Sequence, residues 1–167
     1  IQDDELFEKA QSMINFGFNI NGEISHIGIN AKMNEFEAAM GLAILDEIDI
    51  VMDSHKHNWL TYKEKLNSSL KGQKLHNEAK YNYSYYPIRF SDEKLLHRVL
   101  KALEGINVFP RRYFYPSLDT VSAYGRKDFC LASNDLASKI LCLPLYAGLQ
   151  EEEIINICAA VNGAVET

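Results

Sequence analysis

Between Gly41 and Gly72 the chain carries neither glycine nor proline. That uninterrupted stretch constrains the fold more than any other feature, because nothing in it stops a helix. Asn34 stands ahead of it as an N-cap with Glu37 three residues on, an Asx form of the capping box. Phe36, Met40, Ile44, Ile48 and Met52 recur every fourth residue, and Leu45 beside Ile44 thickens the stripe. A single helix over 34–70 would be about 55 Å long at 1.5 Å per residue. A compact domain built from a chain of this length is only about 40 Å across. Either the helix bends, near Asp53–Ser54, or it bridges to mass outside this chain; the second is the preferred expectation.

The flanking elements read more simply. Leu6, Phe7, Ala10, Met13 and Ile14 recur at helical spacing over 3–16, and Asp3, Asp4 and Glu5 suit the positive end of a helix dipole. Gly17 is placed to end that helix as a left-handed cap. From Phe18 to Ala31 the periodicity fails, and a connection of that length between helices is often functional. The chain starts at Ile1 and enters a helix at once, so a piece of a longer protein is expected. Beyond Gly72, residues 81–90 read as a strand that Pro87 pushes toward a sheet edge. Ser91 is placed to cap a helix with Leu95, Leu96, Val99, Leu100 and Leu103 on its buried side, stopped by Gly105. A second strand over 106–109, a polar and aromatic loop over 111–125, a short helix over 134–140, a strand-like 141–149 broken by Pro144 and a closing helix over 151–161 follow. That order predicts an α/β chain ending in an α+β layer, with helices covering one face of a small sheet.

Composition excludes several partners. The net charge of -6 argues against a nucleic-acid surface and against anionic lipid, both of which need a basic face. Tyr81, Tyr83 and Tyr85 would share one face of a strand, but without a basic groove they make no stacking platform for bases. There is no apolar run long enough to cross a membrane and no signal peptide, so a cytoplasmic location is expected. Cys130, Cys142 and Cys158 show no metal spacing and are expected to be buried, reduced thiols. His55 and His57 lie two apart, on different sides of a helix, and read as a solvated face.

Two stretches carry candidate chemistry. Asn30 and Lys32, in a glycine-containing turn before a helix start, offer an amide and a positive charge that suit an anion such as phosphate. A cap followed by a solvated lysine explains the same residues. In "FPRRYFYPSLDTVSAY", from Phe109 to Tyr124, two arginines suit a diphosphate and three tyrosines suit a sugar or a base. A surface loop with its tyrosines packed on the sheet is the alternative.

Three stretches taken together resemble the DegT/DnrJ/EryC1/StrS sugar aminotransferase family, fold-type I enzymes that use pyridoxal phosphate. They are "GINAKMNEFEAAMGLAIL" (28–45), "RRYFYPSLDTVSAY" (111–124) and "ASKILCLPLYAGLQEEEI" (137–154), in the family's order and spacing. The resemblance implies the C-terminal part of such a transferase: residues 1–53 from the end of the large cofactor-binding domain with the start of the connecting helix, and 54–167 as the small α+β domain. It implies a homodimer in which Asn30 reaches the cofactor phosphate of the other subunit, with Lys32 beside it. Tyr113 would lie near the sugar nucleotide, and Arg112, Tyr115 and His26 complete the implied substrate-binding set; Arg112 stands where many members carry histidine. The implied substrates are a nucleotide-linked keto-deoxysugar, dTDP-linked by the wording of "RYFYPSL", and glutamate as amino donor. The family's Schiff-base lysine falls upstream of Ile1 and Lys32 does not match its position, so no catalytic residue is assigned here and this chain alone is expected to be inactive. A sugar-nucleotide-binding or oligomerisation module without catalysis, and a dehydratase-like member of the same fold, remain the alternatives.

Overall fold

The computed structural model describes residues 1–74, 76–121 and 130–166. The chain forms two compact units, Ile1–Ile48 and Asp49–Thr167.

The first unit opens with α1 (Asp4–Ile14), capped by Asp3, whose side chain accepts the Leu6 N–H at 2.9 Å. Its left-handed turn begins at Phe16 (φ 58°), one residue before the glycine expected to make it, and continues through Gly17 (φ 87°), whose N–H donates to the Ser12 carbonyl. The last carbonyls of an isolated helix are orphans. Here the chain returns to fill them: Ile29 N–H donates to Met13 O at 2.8 Å and Ala31 N–H to Ile14 O at 2.9 Å. This approach requires glycine, because a Cβ on Gly28 would lie 2.2 Å from the Gly17 nitrogen and one on Gly17 would lie 1.8 Å from the His26 oxygen. Helix α2 (Glu35–Asp46) starts with the capping box: Asn34 Oδ1 accepts from Glu37 N–H at 2.9 Å and Glu37 Oε2 from Asn34 N–H at 3.0 Å.

No residue of α2 is buried, and Phe36 is 89% exposed. In the whole unit only Ser12 and Gly17 are buried. A helix with Phe36, Met40, Leu42, Ile44 and Leu45 exposed on every side has the composition of one covered all round. The glycine-free stretch is two helices: α2 ends at Asp46, Glu47 turns its N–H to the Ile44 and Leu45 carbonyls, and α3 (Ile48–Lys65) follows. The break lies at Glu47, not near Asp53–Ser54, and neither glycine nor proline marks it.

The second unit is an antiparallel three-stranded sheet in the order β1 (Lys71–Gly72), β2 (Tyr86–Arg89), β3 (Ile140–Leu143), with α4 (Glu93–Glu104), α5 (Leu131–Lys139) and α6 (Glu151–Glu166). Side chains alternate across a strand. Tyr86, Ile88 and the following Phe90, with Leu141 and Leu143, therefore face one core with Tyr62 of α3, Leu96, Val99 and Leu103 of α4, and Ile154, Ile157 and Val161 of α6. Helices on one sheet face is the expected layer. Four local expectations are corrected. Asp92, not Ser91, caps α4 by accepting the Leu95 N–H at 2.9 Å, while Ser91 donates to the Asp92 carboxylate. Residues 106–109 form no strand: Asn107 is left-handed (φ 58°), and pairing resumes only at Arg111. Tyr83 is also left-handed (φ 51°), so the strand over 81–90 shortens to β2.

The fourth correction is Pro87, which sits in the central strand. Arg111 N–H donates to Cys142 O at 3.3 Å and Cys142 N–H to Arg111 O at 2.9 Å, so Cys142 turns its polar groups away from β2. Pro87, opposite Cys142, then lies at a pair that exchanges no bonds across that ladder. Its missing N–H faces the other neighbour, and pairing there ends at Gly72, opposite Ile88. A proline is thus tolerated at the centre because the edge strand stops short of it.

Candidate functional site

In the first unit, the bonds from Ile29 and Ala31 to α1 hold the backbone on either side of Asn30. Asn30 is exposed, and its side-chain amide has no hydrogen-bond partner among the described residues. Lys32 is exposed too, but its Nζ donates to Asn15 Oδ1 at 2.7 Å and stands 4.6 Å from the centre of the Phe16 ring. His26 is half-buried; its Nδ1 lies 3.2 Å from the Ser12 hydroxyl and 3.0 Å from that of Ser25. His26 and Lys32 line one open cleft of about 900 Å³, which Asn30 does not enter. Asp4, Glu5 and Glu8 outweigh Lys9 on its α1 wall and make it a poor anion site away from Lys32. The amides at the start of α2 are no anion site either, because Asn34 takes the Glu37 N–H and Glu35 and Glu37 place negative charge there.

In the second unit, the face of the sheet away from the core meets the segment after Arg111. Three clefts surround Tyr113. One, of about 390 Å³, runs over Pro87, Arg89, Ile140 and Cys142. A second, also about 390 Å³, is walled by Pro116, Leu118 and Asp119. The third, about 360 Å³, lies between Arg111, Tyr85 and Tyr146. Tyr113 packs edge-on to Tyr85 at 5.4 Å and accepts a hydrogen bond on its hydroxyl from Arg111 Nη1 at 2.8 Å. Burial pushes the Cys142 thiol beneath it up from its usual range, so it is a neutral wall.

Arg112 is placed differently from the expectation. Its guanidinium donates to Glu93 Oε1 at 3.1 Å and to the Ala137 and Ser138 carbonyls at 3.3 Å, and it lies 3.6 Å over the Tyr115 ring. Those carbonyls are at the C-terminal end of α5, where a cation is favoured. Arg112 and Tyr115 therefore bind the segment to α4 and α5 and line none of the three clefts. The Tyr81–Tyr83–Tyr85 face does not exist: Tyr81 and Tyr83 pack edge-on to Trp59 at 5.7 and 5.8 Å, while Tyr85 turns to Tyr113. Cys130 is exposed, not buried as expected, while Cys142 and Cys158 are buried. Residues 122–125 of the predicted loop, Tyr124 among them, lie outside the described residues.

Two frames escaped sequence reasoning. Ser54, Asn58 and Tyr62, one turn apart along α3, donate to main-chain carbonyls of the 144–149 segment. Ser54 reaches Ala147 O (2.7 Å), Asn58 reaches Tyr146 O (3.1 Å) and Leu149 O (3.3 Å), and Tyr62 reaches Pro144 O (2.9 Å). Their i, i+4, i+8 spacing was the available signal. Burial raises the Tyr62 hydroxyl far above its usual range, which keeps it a donor. The second frame is Asp119, whose carboxylate accepts from the Ser117 hydroxyl, from Cys130 N–H at 2.8 Å and from Asn134 Nδ2 at 2.7 Å, and is held below the usual carboxylate range by those bonds, that of Ser117 first.

The turn at 28–32 and the segment after Arg111 fall within two of the three stretches on which the family resemblance rests. The family model described as DegT/DnrJ/EryC1/StrS aminotransferase matches residues 1–162. The chain belongs to that family. It is 32% identical over 170 residues to the dTDP-4-amino-4,6-dideoxy-D-glucose transaminase of Shigella dysenteriae, covering 95% of this chain and 45% of that protein. The chain thus spans about half the length of the curated relatives it matches. Among solved structures, the aminotransferase TlmJ from Streptoalloteichus hindustanus superimposes with a TM-score of 0.89 at 22% identity, over 99% of this chain and 46% of that one, which speaks for the fold. DesI, solved with its TDP-sugar product, matches with a TM-score of 0.83 at 26% identity, over 98% of this chain and 45% of that one. No helix among the described residues is long and apolar enough to cross a membrane.

Proposed function

We propose that this chain is the C-terminal portion of a pyridoxal phosphate-dependent transaminase that moves an amino group from glutamate to a dTDP-linked keto-deoxysugar. What carries the reading is the similarity, over 95% of this chain, to a relative named for transamination of a dTDP-linked amino sugar. DesI, whose structure was solved with a TDP-sugar product, supports the same substrate class. Residues 1–53 belong to the end of the large domain and 54–167 to the small one.

The donors of the 28–32 turn fit a phosphate monoester. Asn30 presents a free amide on a backbone fixed to α1, and Lys32 brings a positive charge within two residues. Both would hold the cofactor phosphate, Asn30 that of the partner subunit in a homodimer, with the apolar surface of α2 covered in the whole protein. When bound, pyridoxal phosphate supplies the electron sink through which an amino group passes between donor and acceptor. Tyr113, fixed by Arg111 and Tyr85, orients the sugar nucleotide over the sheet. Lys32, engaged by Asn15, is not the reactive amine; no residue of this chain is assigned that role. His26, tied to Ser12 and Ser25, lines the floor of the cleft beside Lys32. A cytoplasmic location belongs to the same reading.

The test uses the full-length protein. With pyridoxal phosphate it should show a visible absorbance band that borohydride abolishes, and it should form more than one equivalent of 2-oxoglutarate per active site from glutamate only when a dTDP-linked keto-deoxyhexose is present. Absence of the band removes the reading. Asn30→Ala should weaken cofactor retention more than sugar-nucleotide binding, and unchanged cofactor affinity removes the role given to Asn30.

A further inference from the structure

Adjacent arginines cannot both face the same side of an extended chain, because side chains alternate with a period of two. Arg111 is fixed in that geometry by its two backbone bonds to Cys142, which add a bridge beyond the edge of β3. Arg112 therefore turns into the body of the unit, against Glu93 and the end of α5, and its side chain is only 16% exposed. Arg111 and Tyr113 turn to the other side, along the 360 Å³ cleft that Tyr85 and Tyr146 also line. One N–H of Arg111 donates to the Tyr113 hydroxyl. Its remaining donors have no partner among the described residues, and a guanidinium carries five. Of the other cations near Tyr113, Arg89 is paired with Asp135 at 3.0 Å, and Lys71 lines a neighbouring cleft.

We propose that Arg111, not Arg112, grips the anionic part of the ligand, and that this part is the diphosphate of a nucleotide. A guanidinium fork matches phosphate oxygens, and the tyrosine rings on either side offer flat surfaces for a sugar or base. Arg112 has a structural part only: its bonds to Glu93, Ala137 and Ser138 hold the segment to α4 and α5. The identity of the nucleotide rests on the transaminase reading; the division of labour between the arginines does not. A carboxylate, as on an amino donor, would satisfy the same fork, and the experiment separates the two.

Thymidine diphosphate is titrated by calorimetry into the full-length protein and into Arg111→Gln, Arg111→Lys and Arg112→Gln. A native far-UV circular dichroism spectrum is first verified for each, and KM is measured for the sugar nucleotide and for glutamate. Arg111→Gln should weaken thymidine diphosphate binding roughly 10- to 100-fold, the worth of a lost charge-assisted hydrogen bond. It should raise KM for the sugar nucleotide and leave KM for glutamate alone, and Arg111→Lys should recover part of the loss. Arg112→Gln should lower the urea midpoint while binding stays within about threefold of wild type, a difference of under 1 kcal/mol. The proposal is overturned if wild type binds no thymidine diphosphate, if Arg111→Gln binds it as wild type does, if Arg112→Gln loses as much affinity as Arg111→Gln, or if Arg111→Gln raises KM for glutamate instead. Arg111-dependent binding without transamination sinks the transaminase reading and leaves this proposal standing.

Discussion

Replacing Asn58 by alanine should destabilise the second unit by about 2–4 kcal/mol, a large fraction of the 5–15 kcal/mol that holds a typical domain together. Asn58 is 3% exposed, and its one amide group serves two carbonyl oxygens, of Tyr146 and Leu149. Leu149 is itself buried, so its oxygen cannot turn to water once the donor is gone. An unsatisfied buried acceptor costs about 1–3 kcal/mol, and the void left by the side chain adds to it. The two neighbouring donors grade the comparison. Tyr62→Phe removes a single bond, to Pro144 O, and keeps the ring packed on Tyr86, so about 1 kcal/mol is expected. Ser54→Ala removes a bond at an exposed site that water can replace, so its effect should fall below about 0.5 kcal/mol. Urea unfolding followed at Trp59, the only tryptophan, reports this unit directly. The midpoints should fall in the order Asn58→Ala, Tyr62→Phe, Ser54→Ala from lowest to highest, with the slope unchanged. An Asn58→Ala midpoint at or above that of Tyr62→Phe would refute the reasoning, since the count and burial of stranded acceptors would then not set the cost.

Asp92, Asp119 and Asp135 are held below the usual carboxylate range, chiefly by the Leu95 N–H, the Ser117 hydroxyl and the Lys139 ammonium respectively. Depressed acids stabilise the fold above the ordinary carboxylate pKa of about 4 and lose that contribution as pH falls below it; the urea midpoint should hold from pH 7 to 5 and drop toward pH 3, and a flat profile would contradict the bonding. A thiol reagent should modify Cys130 in the native protein and reach Cys142 and Cys158 only on unfolding; burial pushes the Cys158 thiol up to about 11, which slows it further. Three thiols reacting together in native protein would contradict the packing. The chain on its own should bind an apolar dye and self-associate through α2, and Phe36→Glu with Met40→Glu should reduce both without moving the Trp59 midpoint; a monomer that binds no dye would count against the exposed helix.

The sequence makes plain whatever depends on neighbours within one turn. The stripe of α4, the capping box at Asn34 and the closing helix α6 are local patterns, and the structure has them. Part of what failed depends on distant partners. Pro87 looks like an edge residue until Cys142 is known to pair outward with Arg111. The strand over 106–109 has suitable residues, but it fails locally: Asn107 is left-handed, and the N–H groups of Ile106, Asn107 and Val108 donate back to Leu103 and Glu104 at the end of α4. The break at Glu47 has no residue-level signal, and nothing in the structure explains it. The residue types of "RRYFYP" suggested a ligand-binding segment, and Tyr113 does stand among the clefts. Which arginine turns outward was not legible, because that is decided by a bridge to a strand far along the chain.

That bridge makes the link from α4 to Arg111 a matter of odd and even. Because Arg111 is clamped to Cys142 by both backbone groups, whichever residue occupies the clamp points outward and the next points in. Losing or gaining one residue between Gly105 and Pro110 would bring a different residue to the clamp and exchange the roles of latch and grip; losing or gaining two would keep the parity. Length variation in this connection should therefore come in pairs wherever the outward arginine is kept.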